Sequence, residues 1–315
     1  MISTEVGPAL DGERVDRVVA MLTGVSRSRS AELVAEGAVR LGGRVVATRS
    51  ARVREGQVVE VLWSGDDAPG GPAADPSVPL QVVYGDDDVI VLDKPAGLVV
   101  HPGAGHADGT LVNGLLARYP DLAAIGQPGR PGIVHRLDRG TSGLLVVARS
   151  SLAYEGLVGA LAAHEVERSY QALAWGAFEA ASGLVDAPVG RSASEPTRMA
   201  VRHDGKPART AYRVERHFDQ PVSVTLLGCS LETGRTHQVR VHLQAIGHPV
   251  VGDQRYGGRR SGLVLDRPWL HARRLAFEHP VTGAPLSFES PLPADLATVL
   301  EALEVAAQPT VTPSG

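Results

Sequence analysis

The 315-residue chain is 43% hydrophobic but only 4% aromatic, so Val, Leu and Ala must fill its core, and its length suits two domains at roughly 100–200 residues each. Its one cysteine, Cys229, excludes an internal disulfide and a cysteine-built metal site. The net charge of −4 argues weakly against a nucleic-acid partner. The start Met1-Ile2-Ser3-Thr4-Glu5 has no basic and apolar leader, and no apolar run nears the roughly 18 residues of a membrane helix, so a cytoplasmic protein is expected.

The charge is unevenly spread. Residues 27–54 carry seven Arg against Glu32 and Glu36, and residues 235–274 carry eight Arg against Asp253 and Asp266. Residues 64–88 carry six Asp and no basic residue. Only Lys94 and Lys206 are lysines. An Arg fork suits phosphates and base edges, although a bias towards Arg codons gives the same ratio.

Residues 1–63 form the first block. Val15, Val18, Val19 and Leu22 fall at helical spacing. Ser26 is a candidate N-cap for a second helix, Arg27 to Glu36, closed by Gly37. Ala38 to Leu41, the turn Gly42-Gly43 and Arg44 to Val46 read as a hairpin, and Gln57 to Trp63 as a last strand. Residues 64–79, rich in Pro and Gly, read as a flexible linker, and the tail 308–315 as disordered.

The second block, 80–307, is rich in short strand patterns. They fall at Val89–Leu92, Gly132–Val134, Leu144–Ala148, Ser169–Trp175, Ala211–Val214, Val222–Leu227 and Gln238–His242. Helical patterns fall near 111–118, 151–164 and 294–306. Strands follow one another more often than they alternate with helices, so the fold class is α+β with a mostly antiparallel sheet.

Two segments carry candidate chemistry. Between apolar strands, His135-Arg136-Leu137-Asp138-Arg139 sets one carboxylate among basic side chains. Neighbouring cations favour its ionised form, which suits either a structural ion pair or a carboxylate nucleophile. The second segment, Thr233-Gly234-Arg235-Thr236-His237-Gln238-Val239-Arg240-Val241-His242, gathers cationic and imidazole groups that suit phosphates or an acidic partner such as Asp138. Read as a strand, it sets Arg235, His237 and Val239 on one face. His237 and His242 then face opposite sides, which argues against a metal site.

Together these segments resemble signatures of the RluA family of RNA pseudouridine synthases. The first family motif stands as Asp93-Lys94-Pro95-Ala96-Gly97-Leu98-Val99-Val100-His101-Pro102, followed by His135-Arg136-Leu137-Asp138 and then by the segment from Thr233 to His242. His101-Pro102-Gly103-Ala104-Gly105 with Asp108-Gly109-Thr110, and Gly252-Asp253 with Tyr256-Gly257, are similar to the RluD branch, which acts on large-subunit (23S) ribosomal RNA. The front block resembles an S4 RNA-binding (αL) domain through Ser26-Arg27-Ser28-Arg29, Gly37-Ala38-Val39 and Gly42-Gly43. Gly140 and Arg139 depart mildly from the family, which favours an acidic residue and Lys there.

The resemblance implies a pseudouridine synthase catalytic fold with a mixed, mostly antiparallel sheet behind a small S4-like domain. It implies a catalytic Asp138, an active-site Tyr170 stacked on the base and helping to remove the C5 proton, and Arg235 pairing with Asp138. It implies RNA contacts from Arg27, Arg29, Arg40, Arg44, His135, Arg136, Arg139, His237 and Arg240. No metal or cofactor is expected, and a monomer is the family default. A non-catalytic RNA-binding or ribosome-assembly factor would keep the basic segments without needing Asp138, Tyr170 and Arg235 together. A hydrolase is disfavoured, because Gly140-Thr141-Ser142-Gly143 is one residue short of a nucleophile elbow and Glu232 is the nearest second carboxylate in a motif.

Overall fold

The computed structural model describes residues 1–25, 27–63, 72–103, 106, 108–127, 129–195 and 197–307, with the backbone alone for Ala9, Arg27 and Ser28. Ser26, the first half of the expected linker and the tail from 308 lie outside the described residues.

In the N-terminal unit, α1 (Val15–Thr23) buries Val15, Val18 and Val19 on one face and ends at Gly24, in the left-handed conformation. Helix α2 (Arg27–Ala35) contributes Leu33 and Val34 to the same core. Strands β2 (Val39–Leu41) and β3 (Arg44–Val45) form the expected hairpin. Gly42 and Gly43 sit at φ +54° and +77°, the positive values a two-residue turn of this twist requires. A strand not expected from the sequence, β1 (Ile2–Glu5), pairs with β4 (Val58–Val61), giving the order β1-β4-β2-β3. The buried core of this unit is Val and Leu, as the low aromatic content requires.

The second unit is built on a nine-stranded sheet. Its strands are β5 (Val82–Gly85), β6 (Val89–Lys94), β9 (Ser142–Ala148), β10 (Glu167–Trp175), β11 (Ser182–Asp186), β14 (Arg209–Phe218), β15 (Val224–Leu231), β16 (Leu270–Glu278) and β17 (Pro285–Glu289). Short pairs β7 (Gly126–Gln127) with β8 (Arg130–Pro131), and β12 (Val189–Arg191) with β13 (Met199–Val201), lie outside it. The main order is β11-β14-β15-β10-β16-β9-β6-β5, with β17 also on β16.

Alternate residues of each central strand enter different cores, as a two-residue repeat demands. Ile90, Leu92, Leu145, Val147, Ala172 and Ala174 pack on α3 (Leu111–Arg118) and α5 (Gln238–Ala245). Val89, Val91, Leu144 and Val146 pack instead on α4 (Ser151–Ala162), while Leu173 and Trp175 pack on α6 (Ala294–Ala306). Cover on both faces explains why β6 and β9 read as unbroken apolar runs.

Two expectations are corrected. Gln238–His242 is not a strand but the start of α5. Residues 238–243 are all buried, so apolar and polar positions alternate on a helix that is enclosed all round, and the period misleads. Gly132–Val134 is no continuous strand, since only Ile133 bridges to Val147. The expected linker is also anchored from Ala73 onward. Asn113 donates to the Ala73 carbonyl (2.7 Å) and its own carbonyl accepts from Asp75 N–H (2.9 Å).

All pairings in the main sheet are antiparallel except β9 with β16, which run parallel through Ser142–His271 and Gly143–Ala272. Gly143 has φ +112°, and a Cβ there would lie 2.2 Å from the Ala272 carbonyl oxygen. Only glycine lets the two strands approach at the point where the Asp138 loop enters the sheet. The Gly143→Ala variant is therefore expected to lose at least about 1–3 kcal/mol from backbone strain alone, read as a fall in the urea midpoint.

Candidate active site

The loop from 132 to 141 is held on several sides. Leu137 is buried in the core. His135 Nε2 accepts the N–H of Val146 (3.0 Å), so the ring proton sits on Nδ1. Burial, reinforced by Arg168, pushes this imidazole down to about 3, and His135 is neutral. Arg139 exchanges hydrogen bonds with Gly97, its carbonyl accepting at 2.7 Å and its Nε donating at 3.2 Å. Arg267 Nη1 donates to the Gly140 carbonyl (3.2 Å) and Ser142 Oγ (3.3 Å), while Asp295 grips Arg267 at 2.5 and 2.8 Å.

On this loop Asp138 exposes 14% of its side chain. Its Oδ2 accepts from Arg240 Nη1 at 2.9 Å. Its Oδ1 lies 3.9 Å from His237 Nε2, beyond hydrogen-bond reach. Arg240 stands in the first turn of α5, and its other edge is taken by Asp253: Nε donates at 2.6 Å and Nη2 at 2.9 Å. Asp253 is fully buried and its Oδ1 also accepts the N–H groups of Arg255 (3.1 Å) and Tyr256 (3.3 Å). The Tyr256 ring lies 5.0 Å from the Arg240 guanidinium carbon, and its hydroxyl is 2.8 Å from His237 Nδ1.

Burial alone would raise the Asp138 carboxyl, but His237, Arg240 and Arg136 outweigh it and hold the group below its ordinary range. Burial pulls His237 below its ordinary value against the pull of Asp138. His237 is thus neutral near pH 7, and Arg240 is the cation that keeps Asp138 ionised there. Burial opposes the Arg240 charge too, but Asp253 and Asp138 overcome it and raise that group. Lys94, fully buried, donates to the carbonyls of Pro95 (2.8 Å) and Leu98 (2.9 Å). Burial draws its ammonium down to about 7, with Asp138 resisting.

Helix α5 starts where it does because the turn before it is fixed by one buried amide. Gln238 Oε1 accepts from Thr233 Oγ1 (2.7 Å) and Arg235 N–H (3.0 Å), while its Nε2 donates to the Arg209 carbonyl (2.9 Å) and Thr210 Oγ1 (3.0 Å). His237 caps the helix at φ +59°, a conformation uncommon outside glycine and frequent at functional sites.

Asp138 is a shared wall of two cavities. The narrow one, about 50 Å³, is lined by Tyr170, Arg168, Leu270 and Val239. The wide one, about 480 Å³, is lined by His101, Arg139, Arg255 and Pro268. Arg136, His237 and Arg240 border both. Tyr170, on β10, is buried, and burial pushes its hydroxyl up to about 12, with Arg168 pulling the other way. It is a neutral phenol at pH 7, so burial works against its serving as a base.

The structure thus brings Asp138, Tyr170, Arg235, Arg136, His237 and Arg240 together around the narrow cavity. The expected pairing of Arg235 is corrected: among the described residues no ion pair joins it to Asp138, and it lies in the turn before α5, half-buried, with Nε on the Pro207 carbonyl (3.0 Å). His135 serves the loop backbone, and Arg139 points along the wide cavity. In the front unit, Arg40 and Arg44 are exposed and Arg29 is held by Glu32 and Glu36. The Arg27 side chain lies outside the described residues. Sequence reasoning gave no role to Asp253, Tyr256, His101 or Lys94. The first two were visible only as part of the Gly252–Gly257 resemblance.

The site thus sets an ionised carboxylate between a narrow slot beside an aromatic ring and a wider cleft bordered by arginines. The family described as RNA pseudouridylate synthase matches residues 88–245, and the S4 domain matches residues 13–59. The Ribosomal large subunit pseudouridine synthase D of Vibrio parahaemolyticus is 44% identical, covering 93% of this chain and 91% of its own. An uncharacterized RNA pseudouridine synthase of Chloroflexus aurantiacus is 49% identical, covering 95% and 92%. The solved structure of Human RNA Pseudouridylate Synthase Domain Containing 1 superposes with a TM-score of 0.55 at 27% identity, covering 74% of this chain and 97% of that one. The chain belongs to the RNA pseudouridylate synthase family and is an enzyme that isomerises uridine to pseudouridine in RNA. Among the described residues no helix is long and apolar enough to cross a membrane.

Two outcomes follow from the charges. The Arg240→Met variant leaves Asp138 and Asp253 facing each other uncompensated and is expected to lose about 3–5 kcal/mol in denaturant unfolding. For His135, the unfolded chain binds a proton as pH falls through 6.5, whereas the folded chain resists until about 3. Stability contributed by this group is therefore complete above pH 6.5 and lost as pH falls, by up to about 1.4 kcal/mol per unit. The His135→Asn variant is expected to be weaker at pH 7 but to show a shallower fall in urea midpoint between pH 6.5 and 5.

Proposed function

We propose that this synthase modifies uridines of large-subunit ribosomal RNA, with Asp138 as its nucleophile. The observation that carries the catalytic part is the pairing of Asp138: one oxygen is tied to Arg240 while Oδ1 is left free between the two cavities. The substrate part is supported by relatives named Ribosomal large subunit pseudouridine synthase D, aligned over more than nine-tenths of this chain. On this reading the protein acts in the cytoplasm, during ribosome maturation.

The reaction breaks the C1′–N1 bond, turns the uracil and joins C5 to C1′. N1 gains the proton that C5 gives up, so no atoms are added and nothing is oxidised. The target uridine must first leave its stack, which costs a few kcal/mol and is easiest in a loop. The base then fits the narrow cavity against the Tyr170 ring, where stacking on an aromatic side chain is worth about 1–3 kcal/mol. Its sugar lies beside Asp138, whose carboxylate either attacks C1′ or takes a proton from C2′. Holding the reactants at contact distance is one catalytic contribution of such a site.

The flanking phosphates lie along the wide cavity. Arg136, Arg139 and Arg255 are exposed there and carry full charge. His101 does not, because burial and the nearby Arg130 and Arg136 keep it neutral. Its Nδ1–H is satisfied by the Pro102 carbonyl (2.9 Å), which leaves Nε2 to accept from Arg136 (3.3 Å) and hold that guanidinium at the junction. In the S4 domain, Arg40 and Arg44 on the hairpin are the exposed cations for RNA phosphates.

The test is pseudouridine mapping of ribosomal RNA from cells with and without the gene, complemented by wild type or Asp138→Asn. Wild type should restore specific positions in the large-subunit RNA. Asp138→Asn should restore none, with a loss of on the order of 10³-fold or more in purified form and RNA affinity within a few-fold of wild type. If no large-subunit position changes on deletion, the substrate assignment is wrong. If Asp138→Asn restores them, the nucleophile is wrong.

A further inference from the structure

A guanidinium can grip a carboxylate in two ways. Side-on, through Nε and one Nη, it holds both oxygens in parallel; end-on, through a single Nη, it holds one. Arg240 uses both modes at once and divides them unequally. Its side-on fork goes to Asp253, at 2.6 and 2.9 Å. Asp138 receives only the end-on Nη1, at 2.9 Å, on Oδ2. Asp138 Oδ1 has no hydrogen-bond partner among the described residues, and the His237 Nε2 atom stands 3.9 Å away.

We infer that Asp253 is a positioning residue for catalysis: by occupying the fork of Arg240 it restricts Asp138 to a one-oxygen contact and so keeps Oδ1 free for the sugar. The inference rests on Asp138 being the nucleophile. A nucleophilic carboxylate near a lone Arg has two competing requirements. It needs the cation to stay ionised in a half-buried site. It must also keep an oxygen that is not hydrogen-bonded, because a donated hydrogen bond draws off the electron density that attack requires. A second, deeper carboxylate resolves the conflict by taking the stronger, two-point contact for itself.

Asp253 is built for that task. It is fully buried, so it cannot touch RNA. Its turn is closed by close backbone contacts: a Cβ on Gly252 would lie 2.1 Å from the Arg267 carbonyl oxygen, and one on Gly258 1.6 Å from that of Val250. The Gly258 N–H donates to the Asp253 carbonyl (2.8 Å), and the Gly252 N–H to the Gly258 carbonyl (3.0 Å). The oxygens of Asp253 also divide their work. Oδ1 accepts Arg255 N–H, Tyr256 N–H and Arg240 Nη2, whereas Oδ2 accepts only Arg240 Nε.

That division supplies a variant that keeps the turn. In Asp253→Asn the amide oxygen can still accept the two backbone N–H groups, while the amide nitrogen cannot accept from Nε. The fork of Arg240 is then free to take Asp138 side-on. In single-turnover assays with large-subunit RNA, the Asp253→Asn rate is expected to fall on the order of 10²-fold, as for a small misplacement of reacting groups, with the RNA dissociation constant within twofold of wild type. A crystal structure of the variant should show Arg240 bonded to both oxygens of Asp138. A wild-type rate in folded Asp253→Asn overturns the inference, and so does a rate loss matched by an equal loss of RNA affinity. Should that variant fail to fold, Arg240→Lys serves instead. One ammonium cannot offer a fork to Asp253 and a separate donor to Asp138, so a folded Arg240→Lys with wild-type rate also overturns it. Asp138→Asn is assayed in parallel: activity there defeats the nucleophile assignment itself, whereas an inactive Asp138→Asn beside a fully active Asp253→Asn defeats only the role of Asp253.

Discussion

One guanidinium between two carboxylates governs this active site. Arg240 exposes only 9% of its side chain and Asp253 1%, so neither charge is stable there without the other. Taking either partner from such a buried pair costs several kcal/mol, because the remaining charge is stranded. The cluster of Asp138, Arg240 and Asp253 carries a net negative charge. The surplus sits on Asp138, the member nearest solvent and the one bordering both cavities. The arrangement therefore does more than stabilise. It puts an ionised carboxylate at a chosen place and leaves its Oδ1 without a hydrogen bond among the described residues.

The fold delivers the three residues from separate parts of the chain. Asp138 comes from the loop before β9, Arg240 from the first turn of α5, and Asp253 from the turn before β16. Two glycine-dependent approaches hold these parts in register. Gly143 brings β9 against β16, and Gly252 brings the Asp253 turn against the chain near Arg267. Arg267 in turn donates to the Gly140 carbonyl and is anchored by Asp295 at the start of α6. The C-terminal helix thus helps to fix the Asp138 loop, although no residue of α6 lines either cavity.

Much of this was legible in the sequence, for identifiable reasons. Strands β6 and β9 read as continuous apolar runs because both their faces are covered. Helices α3 and α6 appeared within a residue or two because their apolar positions repeat helically. Asp138 stood in one of three motifs whose order is specific, and Tyr170 followed from the resemblance those motifs carry. The role of Arg240 was misread because Val239-Arg240-Val241 alternates like a strand while being enclosed on all sides of a helix. Once α5 is a helix, Arg235 falls in the preceding turn and Arg240 takes the contact. The part played by Asp253 depends on a tertiary contact thirteen residues from Arg240, across a turn, and no local periodicity encodes it.

Three histidines near Asp138 add little positive charge to a protein of net charge −4. His101, His135 and His237 all surround the Asp138 loop, and burial lowers each of them. Were they protonated near pH 7, they would add positive potential around Asp138. Neutral rings instead serve as fixed acceptors and donors: His135 for the Val146 N–H, His101 for Arg136, and His237 against Tyr256. Positive charge is then concentrated on Arg136, Arg139 and Arg255 along the wide cavity. The site thus separates two electrostatic tasks by distance from solvent. Exposed Arg side chains border the wide cavity, and a single buried Arg, shared with Asp253, holds the Asp138 carboxylate ionised.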